Sequence, residues 1–319
     1  MPSRPPKMSR SETALIIILV LVGALGVFFF KGLSIQEKMW IESENQRINL
    51  ENIYFNAFGK IRLEGKSAVV YDPITKEFLF SLNPSEDFPM ASIVKVMTAI
   101  TAIEEMPEGT IVTISKEAID EEGDTGLLFG EKWVLSDLIQ FMLTVSSNDA
   151  AKAIALASGS DASSFVEAMN KKAADLGLDN THFSNVTGLD LDLKSPGASS
   201  SAEDVAKMLS YAFLKHHDIF AATSKVETIL TSESGFVHKL KNTDALLESL
   251  SNILASKTGF TELAGGNLAV VFKTTSGRLL SSVVLGSTID GRFNDMKQLI
   301  NASSKYANTI MSYANGKNS

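Results

Sequence analysis

The spacing of apolar residues changes several times along the chain, and each change predicts a different element. Positions 14–30 form an unbroken apolar run of 17 residues, counting glycine. Positions 67–72 and 77–82 are strand-like on either side of Asp72-Pro73-Ile74-Thr75-Lys76, a hairpin signature. Five stretches, 92–106, 136–144, 149–157, 163–176 and 202–214, then carry apolar residues three and four apart and predict helices. Strand-like segments return at 225–231, 253–258, 267–274 and 279–286, before a last helix over 293–313. Strands at both ends with helices between them imply an α/β arrangement. Both ends feed one sheet, and a sheet-bearing lobe meets a helical lobe at a cleft.

The apolar run follows Arg4, Lys7 and Arg10. Extended through Gly32 and Leu33, it reaches about 20 residues, which at ~1.5 Å per residue crosses a ~30 Å hydrocarbon core. We read residues 14–33 as an uncleaved transmembrane anchor after a cytoplasmic segment 1–13. A cleaved signal peptide would want small residues past the apolar stretch, where Phe28-Phe29-Phe30-Lys31 stands. The preceding basic residues orient the N-terminus inward, so the remainder lies outside the cytoplasm. Residues 34–60 mix charges, amides and scattered aromatics and read as a partly helical spacer. Residues 61–319 form the folded domain.

Charge and cysteine content narrow the chemistry. The net charge of −8 gives no bulk attraction to a polyphosphate, so nucleic acid is not an expected partner. The sequence contains no cysteine, which removes disulfides, thiol nucleophiles and thiolate metal sites. Its four histidines, His182, His216, His217 and His238, have no metal-ligand spacing. No metal or cofactor is expected. Asp190 and Asp192, alternating with leucines, read as a solvated loop face.

Three short motifs carry candidate chemistry. Ser92-Ile93-Val94-Lys95 opens a helix and puts a hydroxyl and an amine about one turn apart, as a serine nucleophile with a lysine base requires. Such a motif arises about once by chance in a chain of this composition, with the serine as a cap and the lysine in solvent. Ser146-Ser147-Asn148 lies between two helices, where it can aim polar groups into a cleft or simply cap the second helix. Lys257-Thr258-Gly259 ends a strand, and Gly259 permits close backbone approach.

Taken together in this order, at spacings of 54 and 111 residues, the three motifs resemble those of the penicillin-recognising serine enzymes. The wording Met90-Ala91-Ser92-Ile93-Val94-Lys95, Ser146-Ser147-Asn148-Asp149-Ala150, His182-Phe183-Ser184-Asn185-Val186-Thr187-Gly188-Leu189 and Lys257-Thr258-Gly259-Phe260-Thr261 is similar to the D-alanyl-D-alanine carboxypeptidases, over roughly residues 60–300. The resemblance implies a β-lactamase/transpeptidase-like fold, an antiparallel sheet flanked by helices plus a helical lobe. It implies a membrane-anchored hydrolase that trims the terminal D-alanine from peptidoglycan stem peptides. Its partners would be the D-Ala-D-Ala stem peptide, β-lactams as covalent inhibitors, and membrane lipid through the N-terminal helix. On the same basis Ser92 is the nucleophile, Lys95 its base and Ser146 a proton relay. Asn148, Lys257, Thr258, Gly259, Phe260 and Arg292 would bind substrate, with the backbone N–H groups of Ser92 and Phe260 as oxyanion hole. Arg292 would meet the substrate carboxylate; a surface arginine at a helix start is the competing reading.

Three other activities compete. Class A β-lactamases share the motifs but add a glutamate that activates the deacylating water. Here the segment at 182–185 holds no acid, which disfavours rapid β-lactam hydrolysis. An endopeptidase acting on cross-links would cut a bond that also follows a D-alanine. A non-catalytic wall-peptide binder would have no need for Lys95 beside Ser92.

Overall fold

The computed structural model describes residues 10–159 and 161–316. Its first helix, α1 (Arg10–Phe58), continues unbroken through the region expected to be only a partly helical spacer. Ion pairs from Arg47 to Glu44 and Glu51, three and four residues away, support its exposed length. The expected membrane span of 14–33 is helical in its backbone, but its side chains, Leu25 and Lys31 apart, lie outside the described residues. Among the described residues no helix is long and apolar enough to cross a membrane. The chain divides into two units, residues 1–56 and 57–319.

Within the second unit, strand β1 (Ser67–Asp72) turns into β2 (Glu77–Leu82). A two-residue strand β3 (Phe88–Pro89) and a 3-10 turn (Ala91–Val94) then lead into α2 (Lys95–Glu105). A helical lobe follows, with β4 (Ile111–Thr113), α3 (Lys116–Ile119), β5 (Lys132–Val134), α4 (Leu135–Val145), α5 (Asn148–Ala157) and α6 (Ala162–Asp175). Short strands β6 (His182–Phe183) and β7 (Ala198–Ser200) precede α7 (Ala202–Lys215) and α8 (His217–Ala221). The chain then forms β8 (Glu227–Thr231), β9 (Val237–Lys241), β10 (Ile253–Thr261), β11 (Gly265–Lys273) and β12 (Leu279–Ser287), and closes with α9 (Gly291–Gly316). Side chains of Ser115, Ser147, Asp161 and Ser201 accept from backbone N–H groups and start α3, α5, α6 and α7.

The main sheet has the order β10-β11-β12-β1-β2 and every neighbour is antiparallel. First and last segments of the unit therefore pair, Val69 opposite Val283, as the sequence pattern implies. One expectation fails: 225–231 does not join this sheet. Strand β8 pairs with β9 as a separate hairpin. Its outward-alternating Glu227, Ile229 and Thr231 leave one face to solvent, whereas every residue of β1 is buried.

Period-two alternation splits the core. Val69 and Tyr71 face the helical lobe with Ala255, Ala269, Val271 and Val283. Ala68 and Val70 face the other way with Leu268, Val270, Phe272 and Val284, against Met296, Leu299 and Ile300 of α9. Each fully buried Val, Leu or Phe in these layers contributes about 1.5–3 kcal/mol. What matters for chemistry is the sheet's edge. β10 has a neighbour on one side only, and the 3-10 turn at the head of α2 packs against it.

Candidate active site

Two strained points and two glycines bring the three motifs together. Ala91 (φ 47°) and Ser146 (φ 62°) are left-handed residues other than glycine, a conformation that surrounding structure must hold. Ala91 turns the chain so that Ser92 faces β10. Ser146 ends α4 in the left-handed conformation, and Ser147 immediately caps α5. The capping reading of the second motif is thus correct for Ser147, while Ser146 and Asn148 are turned elsewhere. A Cβ on Gly259 would lie 2.8 Å from Met90 O and 3.3 Å from Ser92 N. One on Gly188 would lie 2.1 Å from Ala91 O. Only hydrogen at both positions lets β10 and the 187–188 segment close on the turn that carries Ser92.

Lys95 is fully buried and its Nζ has three oxygen neighbours: Ser92 Oγ at 2.8 Å, Asn148 Oδ1 at 2.6 Å and the Thr187 carbonyl at 2.7 Å. Asn148 cannot turn over, because its Nδ2 donates to the Glu122 carbonyl at 2.7 Å. Burial, and then the charge of Lys257, hold Lys95 well below the usual lysine range; Glu121 and Asp149 oppose them. An uncharged amine has two N–H donors and one lone pair. Two of its neighbours are carbonyl-type oxygens that only accept, so they take both donors. The lone pair then falls toward the Ser92 hydroxyl, the orientation of a general base.

Lys257 lies 2% exposed and donates from Nζ to Ser146 Oγ at 2.9 Å and to the Thr258 carbonyl at 2.7 Å. Burial and the Arg292 charge lower it to about 7, with Asp244 acting the other way. Thr258 Oγ1 lies 2.6 Å from Thr243 Oγ1. Phe260 is half exposed at the open end of the strand, 42% accessible. Arg292 is 8% exposed and so is no surface arginine; its Nη1 donates to the Gly259 carbonyl at 2.7 Å, fixing β10 from behind. Ser92, Lys95, Ser146, Asn148, Lys257, Thr258 and Gly259 therefore converge, with Phe260 beside them and Arg292 bracing the strand.

Several participants have no role that the motifs assign. Thr187 and Glu122 act through backbone carbonyls, which a side-chain pattern does not reveal. Thr243 and Asp244 follow a hairpin missed in its second strand. Thr125 Oγ1 lies 2.7 Å from Ser147 Oγ and donates to Asp149 Oδ2. Asp190 is not on a solvated face: it accepts from Thr261 Oγ1 and the Leu263 N–H, fastening the end of β10. Asp192, by contrast, is an exposed turn residue accepting from Lys194 and Ser195 N–H groups.

Comparison with known proteins agrees with this geometry. The chain is 33% identical over 232 residues to "D-alanyl-D-alanine carboxypeptidase DacF" of Bacillus subtilis, covering 70% of this chain and 58% of that protein. It is 32% identical to "D-alanyl-D-alanine endopeptidase" of Pseudomonas aeruginosa, over 68% of this chain and 69% of the relative. The chain thus spans little more than half the length of the first relative. Among solved structures it resembles Penicillin-Binding Protein D2 from Listeria monocytogenes in its ampicillin-bound form, at TM-score 0.63 and 30% identity, covering 76% of this chain and 98% of that one. A family model described as D-alanyl-D-alanine carboxypeptidase matches residues 56–288, and the chain belongs to that family.

Proposed function

We propose that the chain is a serine-type D-Ala-D-Ala carboxypeptidase that removes the terminal D-alanine of peptidoglycan stem peptides. The observation that carries this reading is the arrangement around Lys95, whose two carbonyl acceptors leave its lone pair for the Ser92 hydroxyl. Ser92 Oγ attacks the carbonyl carbon of the penultimate D-alanine while its proton passes to Lys95 Nζ. The negative charge that develops on the carbonyl oxygen is met by the N–H groups of Ser92 and Phe260, a reading supported by the close approach of Gly259, the residue before Phe260, to the Ser92 N–H. On collapse the C–N bond breaks. The proton held by Lys95 passes through Ser146, itself held by Lys257, to the departing amine of D-alanine, which leaves Lys95 neutral again, and the Lys257 ammonium attracts the D-alanine carboxylate along with Thr258. Water then attacks the acyl-Ser92 ester, giving up a proton to Lys95; the bond to Ser92 Oγ breaks, Lys95 returns the proton to that oxygen, and the shortened peptide is freed.

A β-lactam presents a carbonyl and a carboxylate in the same relation, and acylates Ser92 without a built-in route to rapid release. The relative named an endopeptidase keeps a second reading open, cleavage of cross-links whose scissile bond also follows D-alanine. We further place the domain outside the cytoplasm on a single anchor at 14–33, supported by the 17-residue apolar run; resistance to extraction by salt and carbonate, lost when 1–33 are deleted, checks this. Incubating the protein with a pentapeptide and with a cross-linked dimer, with products identified by mass, tests the activity. Free D-alanine from the pentapeptide supports the carboxypeptidase; cleavage of the dimer alone would transfer the assignment to the endopeptidase.

A further inference from the structure

Lys257 on β10, Arg292 at the head of α9 and Asp244 are all buried, and no sequence motif links the three. Asp244, 2% exposed, is placed by the segment that follows β9. Its N–H donates to Asn242 Oδ1 at 2.9 Å, and its Oδ1 accepts from the Leu246 N–H at 2.9 Å, starting a 3-10 turn (Ala245–Glu248). That turn packs against α9, while the preceding Thr243 meets Thr258 on β10. Asp244 therefore lies beside both elements that supply the cations. Its other oxygen, Oδ2, has no hydrogen-bond partner among the described residues, and neither has Arg292 Nε. Burying a carboxylate is costly unless it offsets another charge, and here it acts on the cations by its field.

The charges that meet Lys257 are Lys95 at the head of α2, Arg292, and Asp244, and of these only Asp244 is negative. Elsewhere around β10, the 3-10 turns Ala91–Val94 and Ala222–Ser224 carry no charged group. β11 sets Ala269 opposite Lys257, and His217 and Asp218 of α8 are exposed, as is Glu248, which pairs with Lys241. With Lys95 neutral as the base, Lys257, Arg292 and Asp244 sum to one positive charge, which one substrate carboxylate cancels. We propose that Asp244 is a positioning residue acting through Lys257: as the buried counter-ion of Lys257 and Arg292, it keeps the Lys257 ammonium charged to receive the carboxylate of the leaving D-alanine. This rests on the carboxypeptidase reading for the identity of that carboxylate, although the carboxylate of a β-lactam meets the same cluster. Burial raises Asp244 itself, opposed by the Leu246 N–H, Ser256, Arg292 and Lys257, so its influence fades as it takes up a proton in acid.

The test compares the full chain with its Asp244→Asn variant across the pH range on either side of neutrality. Two rates are followed: kcat/KM for D-alanine release from a pentapeptide ending in D-Ala-D-Ala, and acylation by benzylpenicillin. Asparagine keeps an oxygen for the Leu246 N–H, so the cap survives while the charge is lost. The decline that sets in near pH 7 in the wild type is expected to begin at lower pH in the variant. Both rates should be about five- to tenfold below wild type at about pH 7.5, for the peptide through a higher KM rather than a lower kcat, and within about twofold at about pH 5.5. A residue that only capped the turn would give profiles of the same shape, equal or uniformly lower, and that result would overturn the proposal; so would a loss confined to kcat. Should Asp244→Asn not fold, Asp244→Ser, which also offers a cap oxygen without the charge, decides by the same comparison. A wild type that benzylpenicillin acylates but that frees no D-alanine would defeat the carboxypeptidase reading, and the proposal then stands or falls on the penicillin profile alone.

Discussion

Lys95 Nζ and Asn148 Oδ1 lie 2.6 Å apart, and the Glu122 carbonyl fixes which end of the amide faces the amine. The contact keeps a neutral acceptor against the base where a charged one would be equally easy to accommodate in size. Asn148→Asp places a carboxylate there, and an opposite charge in contact with the amine raises the Lys95 pKa. Acylation by benzylpenicillin at pH 7 should fall about ten- to hundredfold and recover as pH rises. A loss of the same size at every pH would mean that Asn148 serves substrate alone.

Lys257, held near pH 7 by burial and then by Arg292, gives a second titration. It carries its charge below that value, so attraction of the substrate carboxylate, read as kcat/KM, should decline above about pH 7. Stability has the opposite slope. The folded pKa is depressed from 10.5, so the unfolded chain binds more protons and stability rises with pH from about 7 toward 10.5. Lys257→Met should therefore melt higher than wild type at pH 6–7 while losing activity, and its advantage should narrow by pH 10. Thermal melts across this range check the trend; an advantage that widened would contradict it.

Close approach is the third dependence. Gly188→Ala must fit a Cβ where Ala91 O stands at 2.1 Å, at a φ of +82°, and should destabilise by at least about 3 kcal/mol. Gly259→Ala meets Met90 O at 2.8 Å on a strand whose conformation tolerates alanine. It should push β10 from the Ser92 turn, lowering acylation far more than the unfolding midpoint. Equal losses in both would show that the glycine serves packing rather than the oxyanion site.

Away from the cleft, Glu104 joins three elements of the helical lobe. Its carboxylate pairs with Lys172 and accepts from Tyr211 OH at 2.7 Å, with His216 Nε2 at 2.9 Å. Partial burial works against its charge, yet the bonds from Lys172, Tyr211 and His216 hold it down to about 2. Because the folded value lies below 4.5, this stabilisation is full above pH 4.5 and is lost as pH falls toward 2. Glu104→Gln should cost about 1–2 kcal/mol at neutral pH. The gap between wild-type and variant melting temperatures should close in acid; a constant gap would deny the carboxylate its role.

Much of this was legible from pattern. Residues 253–258, 267–274 and 279–286 announced β10, β11 and β12 by their apolar runs, and the three motifs named Ser92, Lys95, Ser146, Asn148 and Lys257. Residues 225–231 read as a strand of the main sheet, yet pair elsewhere, because pattern gives a strand but not its partner. β9, Val237–Lys241, was missed because three of its five residues are charged or histidine. The tethers at Thr187 and Glu122 escaped for a different reason: a backbone carbonyl is present at every residue, so nothing in a side chain marks the one that binds. Asp190 looked solvated beside Leu189 and Leu191 because its partners, Thr261 and Leu263, lie over 70 residues on.

The most direct measurement is a titration of Lys95 itself, following its Nζ by nitrogen NMR in protein with isotope-labelled lysine, assigned by comparison with Lys95→Arg. An amine that deprotonates far below 10.5, and shifts upward when Lys257 is replaced by methionine, is the predicted result. An ammonium that persists to pH 10 beside Ser92 would contradict the assignment of Lys95 as the base.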